Sequence, residues 1–163
     1  MDVSRTPTAV PPPAPAGGEV VGTPDGPDVV LPTGVRIRRM RIGTHRVTAA
    51  ALQQAIRGIT LLPVSHQRVL AQLGLPIELI PADQLEHLPG ATMPVIGGTG
   101  VGESLTGRLL VTHIRVVTES PYAALGGVNS IRETTQHEIG HALAVVGRQD
   151  RSEAAAIRYA ATY

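Results

Sequence analysis

The chain contains no cysteine, no phenylalanine and no tryptophan, and only three tyrosines in 163 residues. Without cysteine it forms no disulfide, thiolate metal site or cysteine nucleophile, so histidine and carboxylates are the only strong metal ligands available. Redox compartment stays open, since secreted proteins also lack cysteine at times. Without large aromatics the core must be assembled from Leu, Val, Ile and Ala, with few anchoring rings. A charge excess is missing as well: fourteen basic and thirteen acidic residues leave a formal charge of +1. That is far from the basic excess of a phosphate-binding surface and argues against a nucleic-acid partner. No apolar run approaches the roughly 18 residues of a membrane span. At the start, Asp2, Arg5 and a series of prolines stand where a signal peptide needs a continuous apolar stretch. The expectation is a soluble monomer with no membrane partner, cytoplasmic or exported as part of a longer precursor.

Proline, by contrast, is concentrated. Residues 1–33 hold eight of the fourteen prolines, including Pro11, Pro12 and Pro13, with four glycines and no periodic apolar pattern. This reads as a Pro/Gly-rich disordered arm or linker. Residues 34–163 read as one mixed α+β domain. A loosely alternating strand covers Val35–Ile42, and a helix capped by Thr44 or Thr48 runs to about Arg57. Pro63 and Ser65 open a second helix, stopped after Leu73 by Gly74, and a short strand lies between Pro76 and Pro81. Ala82–Leu105 reads as a loop. Arg108–Val117 has the best strand pattern in the chain, with Leu110, Ile114 and Val116 on one side and His113 and Arg115 on the other. Inside the loop, Gly97–Ser104 has the spacing of a phosphate-binding loop, but Glu103 occupies the lysine position and would set a carboxylate against the phosphates. It reads instead as a flexible hairpin-like connection.

The most informative stretch is His137-Glu138-Ile139-Gly140-His141. Ser130 and Glu133 form a capping box that starts a helix just before it. Ile139, Ala142, Leu143 and Val146 then recur at helical spacing, and Gly147 is placed to end the helix in a left-handed cap. On such a helix His137 and His141 share a face, with Cβ atoms about 5–6 Å apart, so both imidazoles reach one Zn²⁺ at about 2.0–2.1 Å. Glu138 is then set beside the water that zinc acidifies, where a carboxylate acts as general base in peptide hydrolysis. His45, His66 and His87 have no ligand-spaced partners and read as surface or core residues.

A catalytic zinc site needs a third protein ligand and an open position. The extended pattern with a third histidine fails, because Ala144 and Gly147 stand where Gly and His are required. Asp150 and Glu153 are the candidates further on. A helix from about Arg151 to Tyr163, folded back on the first, would carry Glu153 to the metal. Asp150 and Glu153 are equally acceptable as a helix-start pair facing backbone amides.

These residues resemble the gluzincin metallopeptidases, and among them the group around the catalytic domain of anthrax lethal factor, the Pro-Pro endopeptidases and the minigluzincins. The resemblance rests on HEIGHAL at 137–143, SEAAAIRYA at 152–160, LPVSHQRVLAQLGLPIELIP at 62–81 and RLLVTHIRVV at 108–117, and covers about residues 45–163. Intracellular repressor-cleaving zincins share a similar motif pair. The resemblance implies a zincin-like fold with a small mixed sheet, an H-E-x-x-H helix and a C-terminal glutamate helix. It implies a zinc endopeptidase acting on peptide or protein substrates, with His137, His141 and Glu153 as ligands and Glu138 as general base. By the same analogy Leu109–Val117 forms the edge strand above the cleft, with His113 or Arg115 facing substrate. The family's oxyanion-stabilising tyrosine has no counterpart between His141 and Glu153, leaving Tyr159, Tyr163 or His113 to substitute. The alternatives are a non-catalytic zinc-binding regulatory domain and a latent enzyme whose Pro-rich arm occupies its own cleft.

Overall fold

In the computed structural model, which describes residues 22–81, 97–118, 130–147 and 149–163, aliphatic residues of three strands stand in register across a mixed sheet. The strands are β1 (Thr23–Pro24), β2 (Val29–Val30), β3 (Arg36–Ile42), β4 (His45–Arg46), β5 (Ile77–Ile80), β6 (Gly97–Glu103) and β7 (Leu109–Val117). The helices are α1 (Ala49–Thr60), α2 (Val64–Gln72), α3 (Ile131–Gly147) and α4 (Glu153–Thr162). The sheet runs β1-β3-β5-β7-β6, with β2 and β4 also paired to β3. β3, β5 and β7 are mutually parallel, and β6 closes the edge antiparallel to β7. Ile37 faces Ile77, which faces Ile114, and Leu79 faces Val116. All five side chains are fully buried, each stabilising the fold by about 1.5–3 kcal/mol relative to exposure.

That apolar face packs against Ala55, Ile59, Leu62, Leu70, Ile139 and Ala142 of the helical layer. Side chains alternate across a strand, so Arg38, Glu78 and Arg115 lie on the opposite face, where Arg38 pairs with Asp28 and Arg115 with Glu78. Thr48 caps α1 by accepting from the Ala51 amide at 3.1 Å, and Gly74, at φ +71°, turns the chain out of α2. No helix among the described residues is long and apolar enough to cross a membrane.

α1 and α3 approach unusually closely. A Cβ at Gly58 would sit 2.8 Å from the Arg132 carbonyl oxygen, and Gln136 donates to the Gly58 carbonyl at 3.1 Å. In an open helix Gly→Ala stabilises, but here the added methyl meets backbone that cannot rotate away. Gly58→Ala is therefore expected to destabilise the protein by about 1–3 kcal/mol. Urea unfolding checks this, and a variant as stable as the parent would count against so tight a crossing.

Several sequence expectations change. Residues 1–21 lie outside the described residues, but residues 23–33 do not behave as a linker. β1 and β2 pair with β3, Leu31 is buried, and Asp25 and Asp28 meet Arg46 and Arg36/Arg38. Their acids found arginine partners that proline content concealed. Residues 82–96 of the expected loop are not described, but 97–103 form a strand seven residues long. β7 is consequently an interior strand, not the edge. No helix follows the glycine run directly, since a Ser104–Arg108 turn leads into β7, as the rejection of a phosphate loop requires. Finally, Gly147 is the last residue of α3 and does not adopt positive φ; the helix end is instead closed by the Gln149 amide, which reaches back to the Ala144 carbonyl at 2.8 Å.

Candidate metal centre

α3 is buried over most of its length, from Thr134 to Ile139 without interruption. Such a helix, enclosed by the sheet, α1 and α4, holds its side chains in fixed directions. Its start is the expected Ser130 cap, with the Glu133 amide donating to Ser130 Oγ at 3.2 Å; the Glu133 carboxylate meets the serine hydroxyl at 3.5 Å rather than its amide. Seven and eleven residues on from Ser130, His137 and His141 emerge on one face, their Nε2 atoms 3.2 Å apart and their rings nearly perpendicular.

Glu153, the first residue of α4, completes the group. Its Oε1 lies 2.8 Å from His141 Nε2 and its Oε2 3.1 Å from His137 Nε2. A tetrahedral ion with bonds of about 2.0–2.1 Å has donor atoms about 3.3–3.4 Å apart on each face. The imidazole nitrogens, 3.2 Å apart, match one such edge, the Glu153 carboxylate spans both of them with its two oxygens, and one ligand atom from each residue lies within 4.8 Å of the others; two neutral imidazoles with one carboxylate are a suitable donor set. These three residues can hold a metal ion. The histidines are 11% and 16% exposed and the glutamate 75%, so the carboxylate closes the group from the solvent side. The remaining ring nitrogen of His137, Nδ1, is buried with no hydrogen-bond partner among the described residues. Asp150 is elsewhere: it accepts from the Ser152 amide at 2.9 Å and lies 3.7 Å from Arg158.

What brings α4 so near is Gly140. A Cβ there would stand 3.0–3.1 Å from the Tyr159 side chain, so the absence of a side chain inside the motif lets the two helices touch. Ser152 caps α4 by accepting from the Ala155 amide. The Tyr159 hydroxyl shares a 2.9 Å hydrogen bond with His66 Nδ1, and Tyr163 packs edge-on to the same imidazole. Burial among these rings holds the Tyr159 phenol well above its ordinary pKa. Tyr159 thus fastens α4 to α2 and α3, and its hydroxyl is turned to His66 rather than to the cluster.

Glu138 is buried beside the cluster and is engaged by β6, which sequence reasoning treated as a connection. Thr99 Oγ1 lies 2.8 Å from Glu138 Oε1 and 2.9 Å from the Glu138 carbonyl oxygen, so its one proton serves either acceptor. Gly97 leaves room for the carboxylate, since a Cβ there would fall 2.8 Å from Oε2. Burial raises the Glu138 pKa above the usual carboxylate range, opposed by the Thr99 hydrogen bond and the two nearby imidazoles. Thr99 and Gly97 left no signal but a hydroxyl and a small residue within a glycine run.

His113 and Arg115 are not brought to this site. They alternate with buried Ile114 and Val116 and so occupy the sheet face away from α3. Arg115 donates to Glu78 at 2.9 Å, while burial and the Arg115 charge lower the His113 pKa. His45 is exposed on β4, and His87 lies outside the described residues. An open cleft of about 290 Å³ runs over Glu138, His141 and Glu153, with Gly97, Gly98, Thr99 and Val101 of β6 on one wall and Arg151 on the other. Compared with known proteins, the chain matches no family model, no curated protein and no solved structure.

Proposed function

We propose that this chain is a zinc-dependent endopeptidase with a zincin-like fold. The observation that carries the proposal is the convergence of His137 Nε2, His141 Nε2 and the Glu153 carboxylate, which spans the two imidazoles with Oε1 2.8 Å from one and Oε2 3.1 Å from the other, with a buried carboxylate next to it in an open cleft. A bound zinc ion supplies Lewis acidity there, polarising a peptide carbonyl and acidifying water toward a pKa of about 7. The rest falls to the chain. Glu138 takes the proton of the attacking water and returns it to the leaving amine; burial makes this carboxylate a stronger base than an exposed one. Thr99 fixes one oxygen of that carboxylate, and Gly97 gives the other its space. β6, with β7 on one side and no described strand on the other, offers the backbone groups to which an extended peptide adds as a further strand.

The direct test is metal analysis with a cleavage assay. One zinc per chain, with hydrolysis of a mixed peptide library that stops on chelation and returns with zinc, is the expected outcome. Protein that binds no metal at micromolar zinc would end the proposal. Thr99→Val is expected to lower kcat about tenfold with little change in KM, while Thr99→Ser keeps most activity, because only orientation of the base is lost. Equal kcat for Val and Thr would remove Thr99 from the scheme.

A second reading, a zinc-binding domain without catalysis, is favoured by one observation. The Tyr159 hydroxyl is held by His66, with Tyr163 packed in the same cluster, so neither tyrosine faces the carbonyl as an oxyanion donor. Stoichiometric zinc with no cleavage of any library peptide would select that reading.

A further inference from the structure

The cleft over the metal cluster does not end there. A second hollow of about 680 Å³ adjoins it, and Val145 and Arg151 line both. The second hollow follows the C-terminal part of α3 toward the β6–β7 turn. Its walls include Leu110 and Val146, 45% and 40% exposed, and its rim carries Arg108. Several arginines elsewhere sit in ion pairs, Arg36 and Arg38 with Asp28, Arg46 with Asp25, Arg115 with Glu78 and Arg158 with Asp150; what sets Arg108 and Arg151 apart is their place on this hollow. Arg108 and Arg151 are exposed and have no acidic partner among the described residues. Two guanidinium groups with no acidic partner among the described residues thus stand over a partly apolar trough that adjoins the cleft over the cluster.

Building on the endopeptidase reading, we propose that this trough is a substrate subsite for a peptide segment bearing an apolar side chain and a neighbouring carboxylate, with Arg108 and Arg151 receiving the acidic group. Charge complementarity selects the occupant. Every basic residue in the chain is arginine, whose forked donors hold a carboxylate bidentately and repel a basic peptide. The distance fits as well. From Thr99, beside Glu138, to Glu103, at the turn, four residues of strand span roughly 13 Å at about 3.3 Å each. An extended peptide alongside covers that span in about four residues, so the carboxylate belongs two to four positions from the scissile bond. Arg151, shared by both hollows, serves the nearer position and Arg108 the farther.

The test uses binding, so that it does not depend on turnover. Full-length Glu138→Gln protein loaded with zinc is titrated into fluorescein-labelled peptides carrying one leucine and either Asp or Lys two to four residues from a central peptide bond. Asp peptides are expected to bind at least about tenfold tighter than their Lys counterparts at low salt, the difference shrinking below about threefold near 0.5 M NaCl. The Arg108→Glu, Arg151→Glu pair should invert the preference. Leu110→Ser should weaken all Asp peptides about fivefold without changing the Asp/Lys ratio. Should the charge-reversed protein fail to fold, Arg151→Gln alone is expected to cut the ratio about threefold. Equal binding of Asp and Lys peptides, a preference that survives charge reversal, or no binding at all overturns the subsite. If Asp peptides bind as stated but wild-type protein cleaves none of them, the endopeptidase reading falls and the subsite stands. If wild-type protein cleaves with no acidic preference and the binding series shows none, the subsite falls alone.

Discussion

Glu138→Gln is expected to abolish peptide cleavage while the protein keeps one metal per chain. The carboxylate is not among the three atoms of the metal triangle, so its loss leaves the donor set whole. Glutamine has the same shape, its amide oxygen can still accept from Thr99, and Gly97 still leaves the space. What disappears is the basic oxygen. General-base catalysis contributes about 10²–10⁴-fold, so kcat should fall by that factor, about 2.7–5.5 kcal/mol in barrier. Metal content and thermal midpoint should stay with wild type. A rate within threefold of the parent would mean that another group removes the proton, and Glu138 would have to be reassigned.

The second large effect concerns Glu153. Substituting glutamine removes an anionic donor that closes the triangle from the exposed side, and metal affinity should drop by about 100-fold or more, equivalent to about 2.7 kcal/mol. Asp150→Asn is the matched control. Asp150 is three residues earlier and equally acidic, but it serves the Ser152 amide, a bond that asparagine keeps. Its affinity should stay within about threefold of wild type. Competition against a chromophoric chelator measures both. If Asp150→Asn weakens binding as much as Glu153→Gln, the third ligand is not Glu153.

The α3 site was legible because one signal, helical period, governs both its fold and its chemistry. A cap at Ser130, apolar residues at Ile139 and Ala142 that mark the core face, and two histidines one turn apart on another face all fit one helix. Asp150 and Glu153 could not be ranked by spacing, because the choice depends on where Ser152 places the start of α4. β6 was hidden for the opposite reason. Gly97, Gly98, Gly100 and Gly102 show no alternation, and their extended state is imposed by pairing with β7, a long-range contact that local pattern does not encode. With β6 went Thr99 and the identity of the edge strand. Tyr159 was misjudged through helical phase: six residues beyond Glu153 it lies about 240° around α4, facing α2 and Gly140.

Glu153 reaches the cluster only while α4 is docked. α4 (Glu153–Thr162) is held against the rest of the fold by the contact of Tyr159 with Gly140 and His66 and by buried Ala156, since most helical stability in proteins comes from tertiary packing. The Glu153 carboxylate is therefore brought to the histidines by the docking of a helix rather than by a side-chain rotamer alone. The apparent dissociation constant for metal is the intrinsic one divided by the fraction of molecules with α4 in place. Reciprocally, metal occupancy draws the helix down, so amide exchange in α4 becomes a report on the ion some residues away from any ligand atom.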